Sequence, residues 1–128
     1  MAYTKGLRYT QQPSNGGPNA QYVREIQQPA YASSVKITAK DPSAEELTIL
    51  FAQITGAITV TADTVLPYDG DTMTLKFPMD ATGHTITLGT GFTYTGATIV
   101  GTANAICVFN CIFDAQTQTW VEYARAIN

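Results

Sequence analysis

At 128 residues the chain has the length of one domain, enough to bury a core without a metal or a disulfide. Only 13% of its residues are charged, about half the usual ~25%, and the net charge is −3. Seven Lys and Arg residues are too few for a stripe that tracks phosphates. No apolar run approaches the ~20 residues of a membrane helix, so neither nucleic acid nor membrane is expected as a partner.

Residues 1–30 read as an extended N-terminal arm. The opening Met1-Ala2-Tyr3-Thr4-Lys5 has the look of a mature cytosolic start. Gln11-Gln12-Pro13-Ser14-Asn15-Gly16-Gly17-Pro18-Asn19 is made of turn formers without periodicity. Gln21 to Gln27 fits either a short helical turn or a strand, stopped by Pro29. Tyr3, Leu7, Tyr9, Tyr22 and Ile26 are apolar enough to need a partner, so the arm is expected to dock on a neighbouring subunit or shell through them.

From Tyr31 the chain becomes periodic, and residues 31–128 read as one β domain. Ser34 to Ala39 alternates apolar and polar side chains. Asp41-Pro42-Ser43-Ala44-Glu45-Glu46 carries the signs of a helix start, but the β-branched run Leu47 to Ile54 favours a strand. Strands are then expected over Ala57–Ala62, Thr72–Phe77, Thr85–Leu88, Ala97–Val100, Ala105–Phe113 and Thr119–Arg125. Between them lie Asp69-Gly70, Gly83, Gly89, Gly91 and the polar turn Asp114–Gln118. Thr recurs on the polar positions, where its branched Cβ favours extended backbone and its hydroxyl accepts water. The expected fold is all-β, an antiparallel β-sandwich or jelly-roll-like barrel.

The Ala105–Phe113 strand is apolar on both faces. Ile106, Val108 and Ile112 share one side, and Cys107, Phe109, Cys111 and Phe113 the other. Such a strand is central, or is covered by a neighbour. A second copy is the simplest cover, and Phe109, Phe113, Trp120 and Tyr123 are the expected oligomer interface.

Several segments together resemble the virion proteins of tailed bacteriophages. They are Leu66-Pro67, Gly70 to Leu75, Thr85 to Phe92, Ile106 to Asp114 and Thr119-Trp120-Val121-Glu122. The resemblance spans Val35 to Arg125 and is one of rhythm, not of invariant chemistry. It implies a non-enzymatic structural β domain of the virion, made in the host cytoplasm: a head decoration, head fibre or tail component. It further implies a homo-oligomer, commonly a trimer, attached to the major capsid protein or another virion protein. The arm is not part of this rhythm and is expected to be the anchor. The alternative is a receptor- or carbohydrate-binding module of a fibre, which would expose Trp120, Tyr94 or Tyr68 as a platform.

Residues with catalytic potential are sparse. The sole histidine, His84, falls in a turn, and no nucleophile elbow or phosphate loop is present. Asp63, Asp69, Asp71 and Asp80 lie in loops where Asp supports a bend, and Asp69-Gly70-Asp71 falls short of a calcium loop. Cys107 and Cys111 share a strand face at roughly 13 Å, well beyond the about 4.4–6.8 Å of a disulfide. They read as buried apolar thiols of a protein made in a reducing compartment. No catalytic residue, metal or cofactor is expected.

Overall fold

The computed structural model describes residues 24–38, 44–65, 67–94 and 99–127. These form ten strands and no helix. They are β1 (Arg24–Gln27), β2 (Ser34–Ile37), β3 (Glu46–Leu50), β4 (Ile58–Ala62), β5 (Thr72–Pro78), β6 (Thr85–Leu88), β7 (Phe92–Thr93), β8 (Ile99–Val100), β9 (Ile106–Asp114) and β10 (Thr119–Ile127). The chain is therefore all-β. A six-stranded sheet runs β1-β3-β5-β9-β10-β7, and a four-stranded sheet runs β2-β4-β6-β8.

The antiparallel sandwich or jelly roll expected from the sequence is corrected by the strand pairing. From β1 to β8, successive strands alternate between the two sheets, and β1, β3 and β5 pair in parallel, as do β2, β4 and β6. Arg24 lies opposite Glu46 and Glu46 opposite Thr72, so successive coils take 22 and 26 residues. This is the winding of a β-solenoid. Antiparallel pairs come late, where β9 lies between β5 and β10 and where the short β8 meets β6. The physical reason for the misreading is that alternation reports a buried face and not a strand's direction. A polar turn that folds back and one that crosses to the opposite sheet use the same residues.

The expected helix start is not realised where it can be seen. Glu46 opens β3, while residues 39–43 lie outside the described part. Residues 24–27, in the segment read as an arm, are β1 and pair with β3 as the first strand among the described residues. Tyr3, Leu7, Tyr9 and Tyr22 lie outside the described residues.

Inward side chains of both sheets form one apolar cluster. In the larger sheet they stack across strands in rows. One row is Glu25, Leu47, Met73, Cys111 and Glu122; the next is Gln27, Ile49, Leu75, Phe109 and Arg125. Each row is apolar in the middle and polar at both ends. At the first coil Gln27 Nε2 donates to Glu25 Oε2 (2.8 Å) and to the carbonyl of Thr38 (2.7 Å), reaching across to the other sheet. At the far end Arg125 donates to both carboxylate oxygens of Glu122, each at 2.6 Å, and its guanidinium lies 5.5 Å from the ring centre of Phe109. A third set of rings stitches the middle: Phe51 stacks on Phe77 at 4.5 Å, and Phe77 tilts against Phe109 at 5.4 Å.

The outer faces of the two sheets differ. On the smaller sheet the outward positions that pair are Ser34, Thr59 and Thr87, Lys36 with Thr61, and Thr85 with Val100. All are polar but Val100, which is 60% exposed. Gly91 lets the chain turn into β7 at φ 97°, where a Cβ would collide with the carbonyl oxygen of Ala62.

Candidate interaction surface

The β9–β10 hairpin builds the feature that sets the larger sheet apart. Its turn is held by local bonds: Gln116 N donates to Asp114 Oδ1 (2.8 Å), and Gln118, at φ 57°, reaches the carbonyl of Ala115 through Nε2 (3.1 Å). Ala115 N also donates to Asp69 Oδ1 at 2.9 Å, which ties the hairpin tip to the loop before β5. Register then fixes what faces outward. Ile112 lies opposite Val121, Asn110 opposite Ala124, and Val108 opposite Ala126. A shift in register between Glu122 and Ala124 leaves Tyr123 out of the ladder and 62% exposed.

The outward positions of this hairpin are therefore Ile106, Val108, Asn110, Ile112, Val121, Ala124 and Ala126, with the pair Asp114 and Thr119 at its turn end; Asp114 is the charged one among them. Ile106 is 50% exposed and Ile112 39%. On β5 the same face continues as Thr72, Thr74, Lys76 and Pro78, and Thr74 Oγ1 donates to Asn110 Oδ1 at 3.1 Å. Exposed apolar side chains gathered on one face are the material from which docking surfaces are built.

The four residues expected at an oligomer interface divide. Phe109, Phe113 and Trp120 are 0%, 2% and 2% exposed within a single chain and serve its core; Tyr123 stays on the surface. The sequence separates the two faces of β9 correctly, and the structure turns the aromatic one inward. Trp120 packs edge-on against Phe113 at 5.2 Å, and its indole Nε1 is buried with no hydrogen-bond partner among the described residues. Tyr94 rests against the core and Tyr68 is 40% exposed. Ile26, the one described residue of the five expected docking positions, is outward on β1 and 52% exposed. Sequence reasoning missed Val121, Ala124 and Ala126 as outward neighbours of Ile112 and Val108, because the register shift at Tyr123 breaks their alternation.

Loop carboxylates spend their oxygens on backbone. Asp71, 7% exposed, accepts from the N–H of Tyr68 through Oδ2 at 2.8 Å. Asp80 Oδ1 accepts from the N–H of Thr82 (2.8 Å) and lies 2.9 Å from His84 Nε2, while the Asp80 carbonyl accepts from Asn104 N (2.7 Å). Asp80 thus joins the β5–β6 loop to the loop before β9.

The Thr82 N–H, and after it His84, hold the Asp80 carboxyl below its usual 3.8. A carboxyl depressed on folding stabilises the fold above its unfolded pKa, and that stabilisation fades as pH falls through the lower folded value. Thermal melts at low ionic strength should therefore show Asp80→Asn losing part of the decline in Tm that the parent shows below about pH 4. Parallel profiles would contradict this.

Cys107 and Cys111 are both 0% exposed free thiols. Burial, with the nearby Glu122 carboxylate second, pushes Cys111 up to about 12, and burial raises Cys107. The thiolate is the reactive form. A disulfide reagent at pH 8 is expected to leave both thiols untouched in the native protein and to titrate both in denaturant. Rapid native reaction of either would show that the core opens locally.

The chain matches no protein-family model, and no curated protein is significantly similar to it in sequence.

Proposed function

We propose that this chain is a non-enzymatic structural component of a tailed-phage virion, a module that oligomerises and docks on the shell or on another virion protein. The observation that supports this reading most is the run of part-exposed aliphatic residues Ile106, Val108, Ile112 and Val121 on the outer face of β9–β10, set against the threonine-rich outer face of the other sheet. One molecule carries a mostly polar surface on one side and a more apolar one on the other. Low overall charge fits a protein that works by packing. The loop aspartates hold backbone, a structural use of the side chains that could otherwise do chemistry. Anchoring through residues 1–23, with Ile26 on the adjoining edge strand, belongs to the same reading.

Immunogold microscopy with an antibody against the chain tests it. Discrete labelling of purified virions from the source of the sequence is expected. Antibody that binds free protein but leaves those virions bare would overturn the assignment. A fibre-tip receptor or carbohydrate module is the weaker reading, since Trp120 is buried and Tyr94 leans on the core.

A further inference from the structure

The two sheets end differently at the first coil. In the larger sheet the inner rows close on Glu25 and Gln27. In the smaller sheet they close on hydrocarbon: Val35, Val60 and Leu88 form one row, and Ile37 and Ala62 the next. Val60 and Leu88 are 0% and 1% exposed, while Val35, at the open end of its row, is only partly buried. β2 is also an edge, since the described part of its sheet ends with it. Thr59 N donates to the carbonyl of Ser33 and Asp63 N to that of Ile37, both at 2.9 Å. In a parallel ladder alternate residues of a strand bond to opposite neighbours, so Ser34, Lys36 and Thr38 aim their backbone groups away from β4. One of those groups is taken: the carbonyl of Thr38 accepts from Gln27 Nε2 at 2.7 Å. The edge opens on a groove of about 460 Å³, lined in part by Gln27, Gln28, Lys36 and Thr38.

We propose that the occupant of this edge is Leu7–Gln11 of the same chain, added as a fifth strand parallel to β2, with Arg8 opposite Ser34 and Gln11 opposite Ile37. Coil length supports the register. Arg8 precedes Ser34 by 26 residues, where Ser34 precedes its partner Thr59 by 25 and Ile58 precedes Ile86 by 28. Residues 12–23 are left for the crossing to β1, 12 positions against the 8 from β2 to β3 and the 9 from β4 to β5. Alternation puts Leu7, Tyr9 and Gln11 on the inner face and Arg8 and Thr10 on the outer one. Tyr9 then covers Val35, and Gln11 ends the Ile37 row with an amide, as Gln27 ends a row of the other sheet. Arg8 and Thr10 continue the polar outer face of Ser34 and Lys36. The backbone gives the most specific support. In this register Tyr9 N donates to the carbonyl of Ser34 and Gln11 N to that of Lys36. The next donor in phase is residue 13, which would meet the carbonyl of Thr38. Residue 13 is a proline and has no N–H, and that carbonyl is the one Gln27 satisfies. A covered edge also no longer offers a template to other chains. The proposal goes beyond the virion reading and does not depend on it; residues 1–6 and 12–23 remain for the anchor.

Amide hydrogen exchange of the full chain, followed by NMR, tests this. Val35 and Ile37 face β4 and are the internal control for folding. Ser34 and Lys36 are expected to exchange at least about tenfold slower than in an unstructured peptide. Tyr9→Pro, which removes the donor to Ser34, should release Ser34 and Lys36 while Val35 and Ile37 stay protected. Thr10→Pro, whose nitrogen faces away from β2, should leave all of these amides protected. Arg8→Cys combined with Ser34→Cys should form a disulfide within one chain under mild oxidation, because facing Cα atoms of neighbouring strands lie about 4.8 Å apart. Free exchange of Ser34 and Lys36 in the wild type, or protection that survives Tyr9→Pro, overturns the proposal. So does a Thr10→Pro variant as damaged as Tyr9→Pro, and so does a bridge that joins two chains. Labelled virions with freely exchanging edge amides would remove the added strand alone; bare virions with protected edge amides would remove the virion reading alone.

Discussion

Phe77→Ala is expected to cost about 3–5 kcal/mol, a large share of the about 5–15 kcal/mol that holds a domain folded. Phe77 is 0% exposed on β5, the strand that joins the parallel coils to the antiparallel hairpin. Its ring is held between Phe51 of the coil before and Phe109 of the strand after. Truncation therefore removes the transfer energy of one ring and also leaves a void bordered by two others, on rigid strands that cannot close over it. Replacement by Leu keeps most of the volume, and a loss of about 1–2 kcal/mol is expected. Urea titration followed by the emission of Trp120, the sole tryptophan, measures both. Equal losses for Ala and Leu would contradict the account, because the void is what separates them.

The second large effect is expected at Arg125. Its guanidinium binds both oxygens of Glu122, whose side chain is 4% exposed. Arg125→Met leaves that carboxylate buried without its counterion, and a loss of about 3 kcal/mol follows. The pair itself is worth far less, because two desolvated charges largely offset their own attraction. Glu122→Leu combined with Arg125→Met should therefore recover at least half of what Arg125→Met alone loses. A double variant less stable than the single would mean that the ion pair contributes net stability.

Much of the layering was legible in the residues. Thr85-Ile86-Thr87-Leu88 alternates without interruption and is β6 at those bounds, and Ile106 to Asp114 is long and apolar and is β9. What could not be read was direction. In Thr72 to Phe77 the inward side chains are the same whether β3 beside it runs with it or against it. The parallel choice depends on a coil of 22 to 28 residues, set by pairings such as Arg24 with Glu46 and Ile58 with Ile86. No motif marks that period, since each coil spaces its turns differently. The surface was half legible. The two-sided character of β9 was plain, but two apolar faces do not say which of them is covered from within the chain. Large rings fill the space between two sheets better than Ile106 or Val108 would, and so they point inward. Val121 and Ala126 escaped notice because one extra residue, Tyr123, puts the two halves of β10 out of phase.

The polar termination of the inner rows limits how such a molecule can change length. A coil duplicated between β3 and β5 would find hydrocarbon above and below it, and the rows would simply grow longer. A coil added before β1 would set its hydrocarbon on the carboxylate of Glu25 and the amide of Gln27. Internal duplication therefore leaves every row with the same polar end residues, and longer variants of this architecture should keep Glu25, Gln27, Glu122 and Arg125 around a variable middle.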